Sequence, residues 1–113
     1  MKVKTVLIKM KALIKNPKNW IQCTYAEDKF GRSCFISSPT ACKFCLDGAL
    51  TKVTANKDGE FDNDESTKLY DRASYLLCKV CNDFNICDFN DTEGRTHKEI
   101  IDVLNMAIKE CKE

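Results

Sequence analysis

Apolar residues recur at helical spacing from the start of the chain. Val3, Val6, Leu7, Met10, Leu13 and Ile14 share one stripe, and lysines occupy the other faces. The pattern predicts a helix ending near Asn16-Pro17, because the residue before a proline avoids the helical region. Trp20–Ala26 and Arg32–Ile36 are rich in strand formers, with the glycine-bearing turn Glu27–Gly31 between them, which predicts a β-hairpin. Ser38-Pro39 then reads as a helix start, serine capping and proline at the first helical position. Cys42, Cys45, Leu46, Ala49, Leu50 and Val53 would be the apolar stripe of that helix. A third helix carries Leu69, Ala73, Leu76, Leu77, Val80 and Phe84. Thr96-His-Lys-Glu99 is a capping box that opens a fourth, continued by Ile100, Ile101, Leu104, Ala107, Ile108 and Cys111. The expected fold is α+β: a small, mostly helical single domain over residues 1–113, with about four helices and a β-hairpin packed against them. Trp20 should be largely buried in it, since an aromatic of that size dominates a small core.

Composition narrows the class. A hydrophobic content of 43% beside 31% charged residues can bury one modest core and is too apolar for a disordered segment. The net charge of +1 makes a dedicated nucleic-acid binder an unfavoured reading. Charge is nonetheless uneven. Residues 1–18 hold six lysines and no acid, and residues 58–65 hold five acids and no base. Solvated faces are the first explanation for both, partner patches the second. Lysines at positions 9, 11 and 15 interrupt what would be the apolar core of a signal peptide, and no run reaches the length of a membrane span. The expectation is therefore a cytoplasmic protein with no membrane partner.

Three segments carry residue types capable of chemistry. Cys42-x-x-Cys45 and Cys78-x-x-Cys81 have the paired spacing of a zinc site. Helical phase favours core cysteines instead, because Cys42, Cys45 and Cys81 fall on or beside apolar stripes and free cysteine behaves as a small hydrophobe. Cys78 lies off its stripe and is expected to be an exposed thiol. The second segment, Thr54–Glu65, fits a calcium loop at Asn56, Asp58, Gly59, Asp62 and Glu65, but offers Thr54 where the first carboxylate belongs. An acidic inter-helix loop explains it as well, so neither metal is expected and no cofactor is implied. The third, Phe89–Thr96, sets Gly94, Arg95 and Thr96 at a helix start where an anion could bind. Asn90 and Asp91 as turn formers and Thr96 as a cap are the simpler account. The single histidine, His97, falls in the first turn of a helix and is expected to be exposed.

Taken together, Trp20-x-Gln22-x-x-Tyr25-Ala26-x-Asp28-x-x-Gly31, Cys45-Leu46-x-Gly48-Ala49-Leu50 and Asn90-Asp91-x-x-Gly94-Arg95-Thr96 resemble an uncharacterised family of small domains found in bacteria and their phages. The likeness runs over roughly residues 8–110 in the same order, and most of the cysteines and the calcium-like loop lie outside it. It implies shape and context rather than an activity. On that context the leading expectation is a non-enzymatic, phage-encoded binding protein that modulates or inhibits a host protein, including a host defence component. A small-ligand or nucleotide binder using Asp28, Asn90, Asp91 and Arg95 is the alternative from another class. A calcium- or zinc-dependent module is the third.

Overall fold

The computed structural model describes residues 1–112. Helix α1 (Val3–Ile14) buries Val3, Val6, Leu7, Met10 and Ile14, as its periodicity predicts, and gives way to a 3-10 turn at Pro17–Asn19. Asn16 starts that turn, its side-chain oxygen accepting from the backbone N–H of Lys18 at 3.0 Å. Strands β1 (Ala26–Glu27) and β2 (Lys43–Phe44) follow, then α2 (Leu46–Thr54), α3 (Asp64–Cys81), α4 (Ile86–Asp91) and α5 (His97–Glu110). α1 packs against α2, α3 and α5. Leu7, Met10, Phe44, Leu46, Leu50, Leu77, Ile100 and Leu104 fill the space between them, each no more than 2% exposed. Each such side chain contributes about 1.5–3 kcal/mol through removal from water. A radius of gyration of 13.0 Å is that of one domain of this length. The architecture is α+β, helices around one core with a two-stranded antiparallel sheet at its side.

The sheet is built from other residues than the hairpin expected over Trp20–Ala26 and Arg32–Ile36. Ala26 pairs with Phe44 and Glu27 with Lys43. The tight turn at Glu27–Gly31 is present, with the N–H of Asp28 donating to the carbonyl of Arg32 at 2.9 Å, yet the chain leaves the pairing after Cys34. Two causes are visible. Cys23 adopts φ 70°, a left-handed conformation that no regular strand accommodates. Phe44 also supplies the apolar side chain that seals the core, being 2% exposed, whereas Phe35 is 84% exposed.

Ser38-Pro39 is a turn, not a helix start; the Ser38 hydroxyl accepts from the N–H of Thr40 at 3.2 Å. The helix begins only at Leu46, capped by the Cys45 sulfur, which accepts from the N–H of Gly48 at 3.2 Å. Cys42 is consequently an exposed loop residue rather than part of a stripe. α3 closes at Asn82, in the left-handed conformation (φ 56°), so Phe84 lies beyond the helix and is fully exposed. α4 has no counterpart in the sequence pattern. Six residues are too few to show a period, and its cap, Asn85 accepting from the N–H of Asp88 at 2.7 Å, is its one local signal.

Candidate functional site

The three segments of the family-like pattern converge on Asn90, at the end of α4. Its side chain is fully buried, and both of its polar atoms are used. The Oδ1 accepts from the indole Nε1 of Trp20 at 2.7 Å and from the backbone N–H of Leu46 at 3.0 Å. The Nδ2 donates to the carbonyl of Ile21 at 3.1 Å and to Asp91 Oδ1 at 2.8 Å. Gln22 donates its amide to the carbonyls of Asn90 and Thr92, at 2.9 and 3.1 Å. Asp91 accepts from the N–H of Cys23 at 2.9 Å and so holds that residue in its left-handed conformation. Trp20 itself is half-buried rather than sunk in the core, its ring tilted against His97 at 6.1 Å.

Arg95 lies nearby and is occupied in the same way. Its Nε donates to the carbonyl of Phe89 at 2.9 Å, its Nη1 pairs with Glu99 at 3.0 Å, and its guanidinium stacks over the Phe89 ring at 3.8 Å. Glu99 closes the capping box with Thr96. His97 is partly buried rather than exposed: its Nε2 meets the carbonyl of Ile14 at 2.7 Å and ties the start of α5 to the end of α1. Asp28 belongs elsewhere, at the start of the 28–42 loop. Its Oδ1 accepts from the N–H groups of Phe30 and Arg32, at 2.8 and 3.0 Å, and its Oδ2 takes the Arg32 Nε at 2.8 Å. The N–H of Arg32, foremost among these donors, holds the carboxyl below its ordinary range.

Behind Asp91 lies a cleft of 160 Å³ lined by Cys23, Thr24, Tyr25, Cys45, Cys87 and Asp91. Through Cys87 it adjoins a polar group spanning three helices. Asp47 of α2, 8% exposed, accepts from the Tyr70 hydroxyl of α3 and from the Cys87 thiol of α4, the latter at 3.4 Å. Burial, reinforced by Asp47, pushes the Cys87 thiol up to about 12 and the Cys45 thiol to about 11. Burial likewise raises Tyr70, while Cys87 and then Asp47 raise Tyr25. These groups stay protonated at neutral pH, and the Tyr70 hydroxyl and Cys87 thiol serve as hydrogen-bond donors to Asp47 rather than as nucleophiles.

The family model of DUF6197, a family of unknown function, matches residues 1–110. The chain belongs to that family. Neither a curated protein nor a solved structure matches it.

In this DUF6197 chain the residues of the two metal-like patterns sit on loops, caps and helix ends. Cys42 is on the loop, Cys45 caps α2, and the Cys78 and Cys81 thiols point to the carbonyls of Phe84 and Cys78, at 3.6 and 3.7 Å. Cys78 is accordingly half-buried, not the exposed thiol its phase suggests. Asn56 accepts from the N–H groups of Asp58 and Glu60 and donates to Asp62 at 3.1 Å; Asn63 caps α3, placing Glu65 in its first turn. Among the described residues, no three His, Cys, Asp or Glu side chains converge as a metal-binding group. Asp47, Tyr70 and Cys87 escape a reading of the sequence because their contacts join residues 23 and 40 positions apart. Asp47 does follow the cap of α2 by two positions, where an acid favours the helix dipole, and that is the one local signal it gives.

Proposed function

We propose that this DUF6197 protein is a non-enzymatic binding protein that recognises another protein through its 28–42 loop. The observation that carries the reading is the display of Phe30 and Phe35, which are 70% and 84% exposed on a backbone tied down by hydrogen bonds. Asp28 fixes the loop's start, the N–H of Ser38 donates to the Phe35 carbonyl at 3.0 Å, and Lys52 reaches the Ile36 carbonyl at 3.4 Å. A pre-ordered loop loses little entropy on binding, and exposed aromatics are the side chains that anchor protein interfaces. A groove of 340 Å³ adjoins Phe30 and one of 460 Å³ adjoins Phe35, so each ring borders space for a partner side chain.

The alternative of a nucleotide or other small ligand on Asp28, Asn90, Asp91 and Arg95 receives less support. Asp28 sits apart on the loop, Asn90 and Arg95 are engaged internally, and the cleft beside Asp91 holds 160 Å³, against roughly 300–1,000 Å³ for small-molecule sites. The likeness to proteins of bacteria and their phages supplies the context: a phage protein whose partner is a host protein, with host defence components among the candidates. The test is affinity purification from a bacterial host lysate with the parent and with Phe30→Ala/Phe35→Ala, read by mass spectrometry. The expected result is a protein recovered at near-equal amounts with the parent and lost with the equally stable double variant. Retention of that protein by the double variant, or a nucleotide released stoichiometrically on denaturing the parent, would overturn the reading.

A further inference from the structure

α1 has a second patterned face that the fold does not use. Its core stripe is centred on Val3, Val6, Met10 and Ile14. On the opposite side, Thr5, Ile8 and Ala12 are exposed and follow one another at intervals of three and four, the a and d spacing of a heptad. Ile8 at the middle is 50% exposed. With Thr5 and Ala12 at a and Ile8 at d, Lys2 and Lys9 take e positions, and Lys4 and Lys11 take g positions. Among the described residues none of these lysines forms an ion pair. The result is a narrow uncharged seam, apolar at its centre, with an uncompensated cationic rail on each side.

We infer that this face docks an acidic amphipathic helix, apolar at its own a and d positions and carrying carboxylates at e and g. Charge complementarity selects that occupant. A second copy of α1 would set lysine against lysine along both rails. A nucleic-acid backbone would match the rails but leave the apolar centre unused, and Ile8 alone gives an anionic membrane too little apolar area to bury. The chain's net charge of +1 also gives no global attraction to a polyanion. An apolar centre with a charged rim is the anatomy of a protein interface. The surface is separate from the 28–42 loop, and the inference does not depend on that loop binding anything.

The test is a fluorescence titration of the full chain with a labelled synthetic helix bearing Leu at a and d and Glu at e and g. Saturable one-to-one binding that weakens as salt is raised is expected. Lys4→Glu/Lys9→Glu/Lys11→Glu should weaken it at least about tenfold, with helix content by circular dichroism unchanged. Ile8→Asp, a single exposed change, should also weaken it and guards against misfolding of the triple variant. Absence of binding, equal binding by either variant, or equal binding of a control helix with Lys at e and g would overturn the inference. So would tighter binding of duplex DNA or phosphatidylserine vesicles than of the acidic helix.

Discussion

Arg95 shows how a residue with the chemistry of a binding site is consumed by structure. Its guanidinium makes a carbonyl bond, an ion pair with Glu99 and a stacking contact with Phe89. Arg95→Ala should therefore cost about 1–2 kcal/mol in urea denaturation. Arg95→Lys should recover little of that, because an ammonium cannot both stack and bond along a fixed fork. Thiol reactivity divides the cysteines by the same reasoning. Cys23 and Cys42 are exposed, whereas burial raises Cys45 and Cys87 to about 11 and about 12. Alkylation at about pH 8, mapped by mass spectrometry, should mark Cys23 and Cys42 first and Cys45 and Cys87 last. Gly48 illustrates a different constraint: a Cβ there would collide with the backbone carbonyl of Tyr25, so the start of α2 can approach that segment only as glycine.

Among the elements, α5 is the one most completely written in local sequence. Thr96 accepts from the N–H of Glu99 at 3.2 Å while Glu99 Oε1 accepts from the N–H of Thr96 at 2.9 Å. Thr96→Ala should lower stability by about 1 kcal/mol, measured by urea denaturation, whereas Thr96→Asp, which keeps a capping oxygen, should lose little. α1, α3 and α5 were legible because each runs long enough for its apolar period to emerge. The sheet was not. Its strands are two residues each, and strand propensity reports fit to a half-buried pleated surface rather than a partner. Trp20–Ala26 has the right residues for a strand, but its polar members reach toward Asn90 and Thr92, and Cys23 breaks its extension. Of the candidate site, Asn90, Asp91 and Arg95 could be singled out as turn and cap chemistry. That Asn90 receives Trp20 and Leu46 from 70 and 44 positions away could not.

At the scale of the molecule, stability should be bounded by pH on both sides. Backbone N–H groups hold Asp28 below its ordinary 3.8 and Glu99 below 4.5. Carboxyls lowered by folding stabilise the native state above those ordinary values, and the contribution is lost as pH falls below about 4. The Cys45 and Cys87 thiols are raised from 9.0 to about 11 and about 12. Their contribution is complete below pH 9.0 and is lost as pH rises from there toward those values. Melting temperature measured against pH should accordingly be level from about pH 5 to 8.5 and fall on either side. The central claim is that the family-like pattern encodes a buried junction of three segments, not a ligand site. Equilibrium urea denaturation of Asn90→Ala tests it most directly. Removing this side chain strands the Trp20 indole N–H and the Leu46 backbone N–H without their acceptor, so the account predicts a loss of about 3 kcal/mol or more. A variant as stable as the parent would contradict it.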